Sequence, residues 1–170
     1  RELVGYSTNL KMNPPLRTEA DRQALLEAVA DGTIDCIATD HAPHAAMEKD
    51  VEFDKAPFGV IGLSTSFAVA HTQLVASGRL PLPELVRRMS LAPAQRFGLA
   101  GGKLEAGQPA NLAVLDPQAR WQVRAEDLGS RARNSPFLGR TLRGRVAGTI
   151  YHGRLVHRLQ SDTRTAAVVG

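Results

Sequence analysis

An apolar run, Ile34-Asp35-Cys36-Ile37-Ala38, turns abruptly polar at Thr39-Asp40-His41-Ala42-Pro43-His44. Such a run reads as a buried strand reaching its C-terminal end. In barrels and open α/β sheets, that end is where sites are built. The segment ahead of it supports this reading. Thr18-Glu19-Ala20-Asp21 has the form of a capping box, and Leu25, Leu26, Val29 and Ala30 fall on one helical face. Asp31-Gly32 then ends the helix. Further upstream, Ser7 to Met12 reads as a short strand stopped by Asn13-Pro14-Pro15. Strand, helix, strand is a βα unit feeding a parallel strand. It would bring Asn13 and Asp40 to the same edge of a sheet.

The rest of the chain divides by character. Residues 45–59 form a charged stretch without periodicity, long enough for a functional loop. Helices are expected over Ser64 to Ala76 and Pro83 to Met89, with a third opened by Pro93 and closed at Gly98. From Gly101 onward, glycines and short β-prone runs dominate. Leu112 to Leu115 should end at Asp116-Pro117, Trp121-Gln122-Val123 alternates, and His152-Gly153 marks a hairpin turn. The expected division is therefore 1–100 for helices with parallel strands, 101–158 for a small β module, and 159–170 for a loose tail.

Composition narrows the class. Hydrophobic residues make up 43% of the 170 and charged residues 22%, as in a water-soluble globular protein. No stretch is apolar enough to span a membrane. The single Cys36 cannot form an internal disulfide and reads as a small buried hydrophobe in a reducing compartment, which places the protein in the cytoplasm. The net charge of +4 comes from spread arginines without interleaved aromatics, a solvated basic surface and not a nucleic-acid site. The start at Arg1 fits a fragment or a processed chain.

The residues alone leave the chemistry open. Asp40 could ligate a metal, act as a general base or simply cap a loop. Pro43 biases Ala42 away from helix, so Asp40, His41 and His44 fan out from a turn and do not form a helical two-histidine zinc site. Asn13 could donate to a carbonyl and accept from an N–H, as an amide or ureide substrate requires, or satisfy its own turn.

Taken together, Lys11-Met12-Asn13-Pro14-Pro15-Leu16-Arg17 and Asp31 through His44 closely resemble the C-terminal part of bacterial dihydroorotases, of the amidohydrolase superfamily. The likeness continues through Phe58-Gly59-Val60-Ile61-Gly62-Leu63, Ala92-Pro93-Ala94 and Gly107 to Asp116. The resemblance implies the last strands and helices of a (β/α)8 metal-dependent hydrolase barrel, plus the C-terminal part of a small β-sandwich. It implies a binuclear zinc centre, with Asp40 as a metal ligand and proton carrier. Asn13 and His44 would bind substrate, His44 at the exocyclic carboxylate, and the backbone of Phe58 and Gly59 would meet the ring amide. His41 is not a ligand in that pattern. The reaction would be the reversible cyclisation of N-carbamoyl-L-aspartate to L-dihydroorotate in pyrimidine biosynthesis.

None of the five histidines matches the remaining zinc ligands of the family, which lie earlier in such enzymes. The chain is therefore expected to need the N-terminal part of the same enzyme and to be inactive without it. The resemblance also implies a homo-oligomer. Other readings are an allantoinase or hydantoinase, a non-catalytic scaffold subunit of aspartate transcarbamoylase, and a standalone β-rich binding module.

Overall fold

The structure is a computed structural model that describes residues 5–159. All but the first residue of the tail expected over 159–170 lies outside the described residues.

Helices dominate up to residue 98. The first long one, α1 (Glu19–Asp31), opens on a reciprocal cap. The Asp21 N–H donates to Thr18 Oγ1 at 3.2 Å, and the Thr18 N–H donates to Asp21 Oδ2 at 3.0 Å. It closes at Gly32 with φ of +99°. Leu26 and Val29 pack into the core, but Leu25 is 57% exposed. Adjacent residues lie about 100° apart on a helix, and the neighbouring helix covers only the Leu26/Val29 stripe.

A four-residue helix, α2 (Ala46–Lys49), interrupts the segment that read as an irregular loop. Next, α3 (Ser66–Ala70) runs on through a wider, π-type turn at His71–Val75. Similarly, α4 (Leu82–Val86) widens over Arg87–Leu91 before α5 (Ala92–Phe97). Pro93 explains the second widening, because it has no N–H to return to the turn before it.

Three antiparallel strands follow in the order β1 (Leu112–Gln122), β2 (Thr141–Tyr151) and β3 (Arg154–Arg158). Strand β1 does not stop at Asp116-Pro117. Its register against β2 slips between Asp116 and Arg120, and this bulge absorbs the proline. There Asp116 Oδ1 accepts from the N–H groups of Gln118 and Ala119 at 2.9 and 3.0 Å. His152 and Gly153, with φ of +47° and +77°, make the tight turn into β3.

The sheet packs on α3. One cluster joins Ala68 to Ile61, Val123, Leu128 and Leu142. A second joins Phe67 and Ala70 to Leu74, Leu80 and Leu85. Close approach at this seam needs Gly144, where a Cβ would come within 3.0 Å of the Phe67 and His71 rings. The described residues hold this one sheet and not the second layer of a sandwich.

The expected strand-helix-strand unit is only partly realised. Thr8–Leu10 is a 3-10 turn, and Ile34 to Ala38 belongs to no ladder among the described residues. A strand needs a neighbouring strand to exchange hydrogen bonds with. Here helices take that place: the Ile34 N–H donates to Ala28 O at 2.9 Å, and the Ile37 N–H to Arg88 O at 3.1 Å. Pairing starts just past Asp40, where His41 forms an isolated parallel bridge with Val60.

Candidate functional site

Three short segments meet beyond the end of the Ile34–Ala38 run. Phe58 to Ile61 lies in the middle. On one side the Gly59 N–H donates to Lys11 O at 3.0 Å, which brings the Lys11–Asn13 segment alongside. On the other the Ala42 N–H donates to Val60 O at 3.0 Å, which brings the Asp40–His44 segment alongside. Buried Arg88 steadies the approach to Asp40. Its guanidinium donates to the Ile34 carbonyl and pairs with Glu84 at 3.0 Å.

Asp40 is exposed and holds φ of +43°. A non-glycine residue in that region carries strain of about 1–3 kcal/mol, of the kind that collects at functional sites. Among the described residues nothing hydrogen-bonds to its carboxylate. Asn13 is likewise exposed with a free side-chain amide, and the Asn13-Pro14 peptide is cis.

His44 is half-buried and committed. Its Nε2 lies 3.0 Å from Phe58 O, so that nitrogen carries the proton and donates. Its Nδ1 is 3.7 Å from Glu48 Oε2. The Phe58 ring is exposed, with the Lys11 ammonium 4.8 Å from its centroid. Gly59 is buried at φ of +118°, and a Cβ there would stand 2.5 Å from Ala42 Cβ. The backbone segments that carry the five expected residues therefore run side by side, with direct contact between His44 and Phe58. The Phe58 and Gly59 carbonyls each have one protein partner and keep a second lone pair for another donor.

His41 acts on the backbone. Its Nδ1 accepts from the N–H groups of Gly62 and Leu63 at 3.1 and 3.3 Å, and so caps the turn leading into α3. The proton of its neutral ring then sits on Nε2.

Sequence reading missed Asn134 altogether. It is 4% exposed, in the connection between β1 and β2. Its Nδ2 donates to Ala42 O at 2.9 Å and Gly59 O at 3.3 Å, and its Oδ1 accepts from the His44 N–H at 3.2 Å. Its only trace in the sequence is the turn signal Asn134-Ser135-Pro136, silent about partners 75 or more residues away.

Two buried lysines lie beside the chain leading into Phe58. Lys11 Nζ donates to Asp54 O at 2.8 Å, and Lys49 Nζ donates to Thr8 O and Pro57 O at 3.1 and 2.8 Å. Burial, helped by the neighbouring Lys11 charge, holds the Lys49 ammonium below the usual lysine range.

Among the described residues, no three His, Cys, Asp or Glu side chains gather closely enough to hold a metal ion. As a hard donor with no competing partner, the Asp40 carboxylate fits the role of a single metal ligand. A cavity of about 970 Å³ lies elsewhere, between Leu63–Ala68 and the sheet around Trp121 and Arg145, and none of the five expected residues lines it.

Comparison with known proteins defines the class, that of the amide hydrolases, through the sequence as a whole. Residues 7–156 fit the amidohydrolase family, and the chain belongs to that family. It is 53% identical over 153 residues to the dihydroorotase of Anaeromyxobacter dehalogenans (strain 2CP-1 / ATCC BAA-258), covering 90% of this chain and 35% of that protein. It is 51% identical over 154 residues to the dihydroorotase of Geotalea daltonii, covering 91% and 36%. The chain thus spans about a third of the length of these relatives. Among solved structures, it resembles the L-hydantoinase (dihydropyrimidinase) of Arthrobacter aurescens, with a TM-score of 0.82 and 30% identity over 94% of this chain and 37% of that one. It also resembles a D-hydantoinase from Thermus sp., with a TM-score of 0.78, 28% identity, and 89% and 34% covered. Among the described residues no helix is long and apolar enough to cross a membrane.

Proposed function

We propose that this chain is the C-terminal part of a dihydroorotase, which interconverts N-carbamoyl-L-aspartate and L-dihydroorotate in pyrimidine biosynthesis. The carrying observation is identity of about half to dihydroorotases across nine-tenths of the chain, against 30% to the L-hydantoinase. On this reading residues 1–100 complete the (β/α)8 barrel and 101–158 belong to the β-sandwich. The remaining strands and metal ligands come from the N-terminal part, and the enzyme works in the cytoplasm.

Asp40 would be a zinc ligand, with the other ligands supplied from outside this chain. The metal, when bound, supplies Lewis-acid polarisation of the amide carbonyl and a lowered pKa for a water nucleophile. Asp40, unencumbered by other partners, takes the proton in hydrolysis and returns it in cyclisation. Asn13 offers both a donor and an acceptor to the ureide. The His44 Nε2–H would exchange Phe58 O for the substrate carboxylate, with the Lys11 ammonium beside the same Phe58 ring. The second lone pairs of the Phe58 and Gly59 carbonyls accept from the ring N–H groups.

The test is dihydroorotate hydrolysis by the full-length protein with zinc, beside Asp40→Asn and with allantoin and hydantoin as competing substrates. Preference for dihydroorotate, and loss of roughly 10²- to 10⁴-fold in kcat for Asp40→Asn, is the expected result. Preference for hydantoin would transfer the chain to the hydantoinases. A folded, metal-free and inactive protein would make it a scaffold subunit.

A further inference from the structure

We infer that Asn134 is a positioning residue that sets the gap between the His44 turn and the Phe58–Gly59 segment, and so the grip on substrate. The inference rests on the dihydroorotase reading for the identity of that substrate. The geometry itself belongs to the fold.

The Asn134 amide has two donors and one acceptor oxygen, and all are used on the two sides of the site. One N–H reaches Ala42 O, two residues past Asp40, and the other reaches Gly59 O. The Oδ1 holds the backbone N–H of His44. The Asn134 carbonyl accepts the Ile61 N–H at 3.0 Å, which ties the far end of the middle segment to the same residue. No other described residue bonds to both walls through one side chain. Among the described residues the other direct links are the Ala42 N–H to Val60 O bond, the His44 ring to Phe58 O and, just past Ile61, the Gly62 and Leu63 N–H groups to His41 Nδ1.

The support of Asn134 is rigid. Ser135 is 2% exposed, and its Oγ accepts the Phe137 N–H at 3.2 Å. Phe137 packs against the cluster of Ile61, Val123 and Leu142. The position of the two walls is thus referenced to the sheet, and the pin is buried where water cannot replace its bonds. Losing it exposes two carbonyls and one N–H to an enclosed space, and the walls have to move apart to hydrate them.

A residue of this kind acts on binding more than on the chemical step. In the full-length enzyme, Asn134→Ala is expected to raise KM for dihydroorotate by roughly 10- to 100-fold, the effect of a wall displaced by about 1 Å. The kcat should change by less than about threefold, because Asp40 has no bond to Asn134. The KM effect should be smaller for dihydrouracil, which lacks the carboxylate, and should not add to that of His44→Ala. A fall in kcat at constant KM, equal effects on both substrates, or full additivity with His44→Ala would each overturn the inference. Asn134→Ser, which keeps one hydroxyl donor, should show the same KM-specific defect in milder form. If neither variant folds, Asn134 is a structural clamp only and the inference fails. Should the wild-type enzyme prefer a different cyclic amide, the dihydroorotase reading falls separately. The Asn134 comparison is then made on the preferred substrate, and an unchanged KM there refutes it.

Discussion

Gly59→Ala is the sharpest test of how the two walls of the site are packed. Gly59 has φ of +118°, and a built Cβ lies 2.5 Å from Ala42 Cβ and 3.4 Å from His44 Nε2. Two carbon atoms settle at about 3.5–4.0 Å, so the overlap with Ala42 is on the order of 1 Å. The backbone conformation alone costs a residue with a Cβ about 1–3 kcal/mol. Overpacking adds about 1–3 kcal/mol. The substitution should therefore destabilise by about 2–6 kcal/mol, summing those two contributions. Removing the opposing methyl separates them. Ala42→Gly deletes the clash, leaves the φ strain and adds about 0.5–1 kcal/mol of chain entropy. The double variant should recover part of the loss, with a coupling of at least about 1 kcal/mol. The assay is urea unfolding of the full-length protein for the four members of the cycle, with KM for dihydroorotate alongside. A loss below about 0.5 kcal/mol for Gly59→Ala, or strict additivity in the cycle, would refute the reasoning.

Three further outcomes follow from the core and the helix ends. Leu85 is fully buried at 0% exposure, so Leu85→Ala should cost about 2–5 kcal/mol in the same unfolding assay. Thr18→Ala removes the side-chain half of the reciprocal cap and should cost about 1 kcal/mol, seen as faster amide exchange in the first turn of α1. Burial holds the His71 ring below the usual histidine range, outweighing its Nδ1–H bond to Arg143 O at 3.2 Å. The unfolded chain then binds the proton first, so this stability is present above about pH 6.5 and is lost as pH falls through the folded value. His71→Asn, with nothing to titrate, should flatten that part of the stability profile.

The parts of the fold visible in the sequence are those that depend on local chemistry. The Thr18–Asp21 cap, the Gly32 and Gly98 stops and the His152-Gly153 turn each follow from residues within a few positions of one another. What was misread depends on partners distant in sequence. The apolar Ile34–Ala38 run looks like a strand from its residues, but a ladder is a property of two segments, and here the run leans on the carbonyls of Ala28 and Arg88. Strand β1 passes through Asp116-Pro117 because its ladder resumes at Arg120 against Arg143 of β2, beyond the bulge that holds the proline, which a single Pro rule does not foresee. The site shows the same split. Asp40, His44 and Asn13 stand out as residue types in a motif, whereas Asn134 is one polar residue in an undistinguished turn.

Hydrogen-bond commitment separates the groups around the site by the work open to them. Asp40 and Asn13 have free side chains, while His41, Asn134, Lys11 and Lys49 spend theirs on the backbone. A group that moves a proton or grips a substrate has to be available, and a group that holds a loop has to be satisfied. The two lysines hold the stretch around 54–57 through its carbonyls, and among the described residues neither ammonium meets a carboxylate. Hydrogen bonds to carbonyls satisfy the ammonium donors but leave both positive charges uncancelled. Low-dielectric surroundings carry that field further than water would. It falls on the same region as His44 and Phe58. On the proposed dihydroorotase reading, that field would suit N-carbamoyl-L-aspartate, with its two carboxylates, better than a neutral hydantoin or allantoin ring.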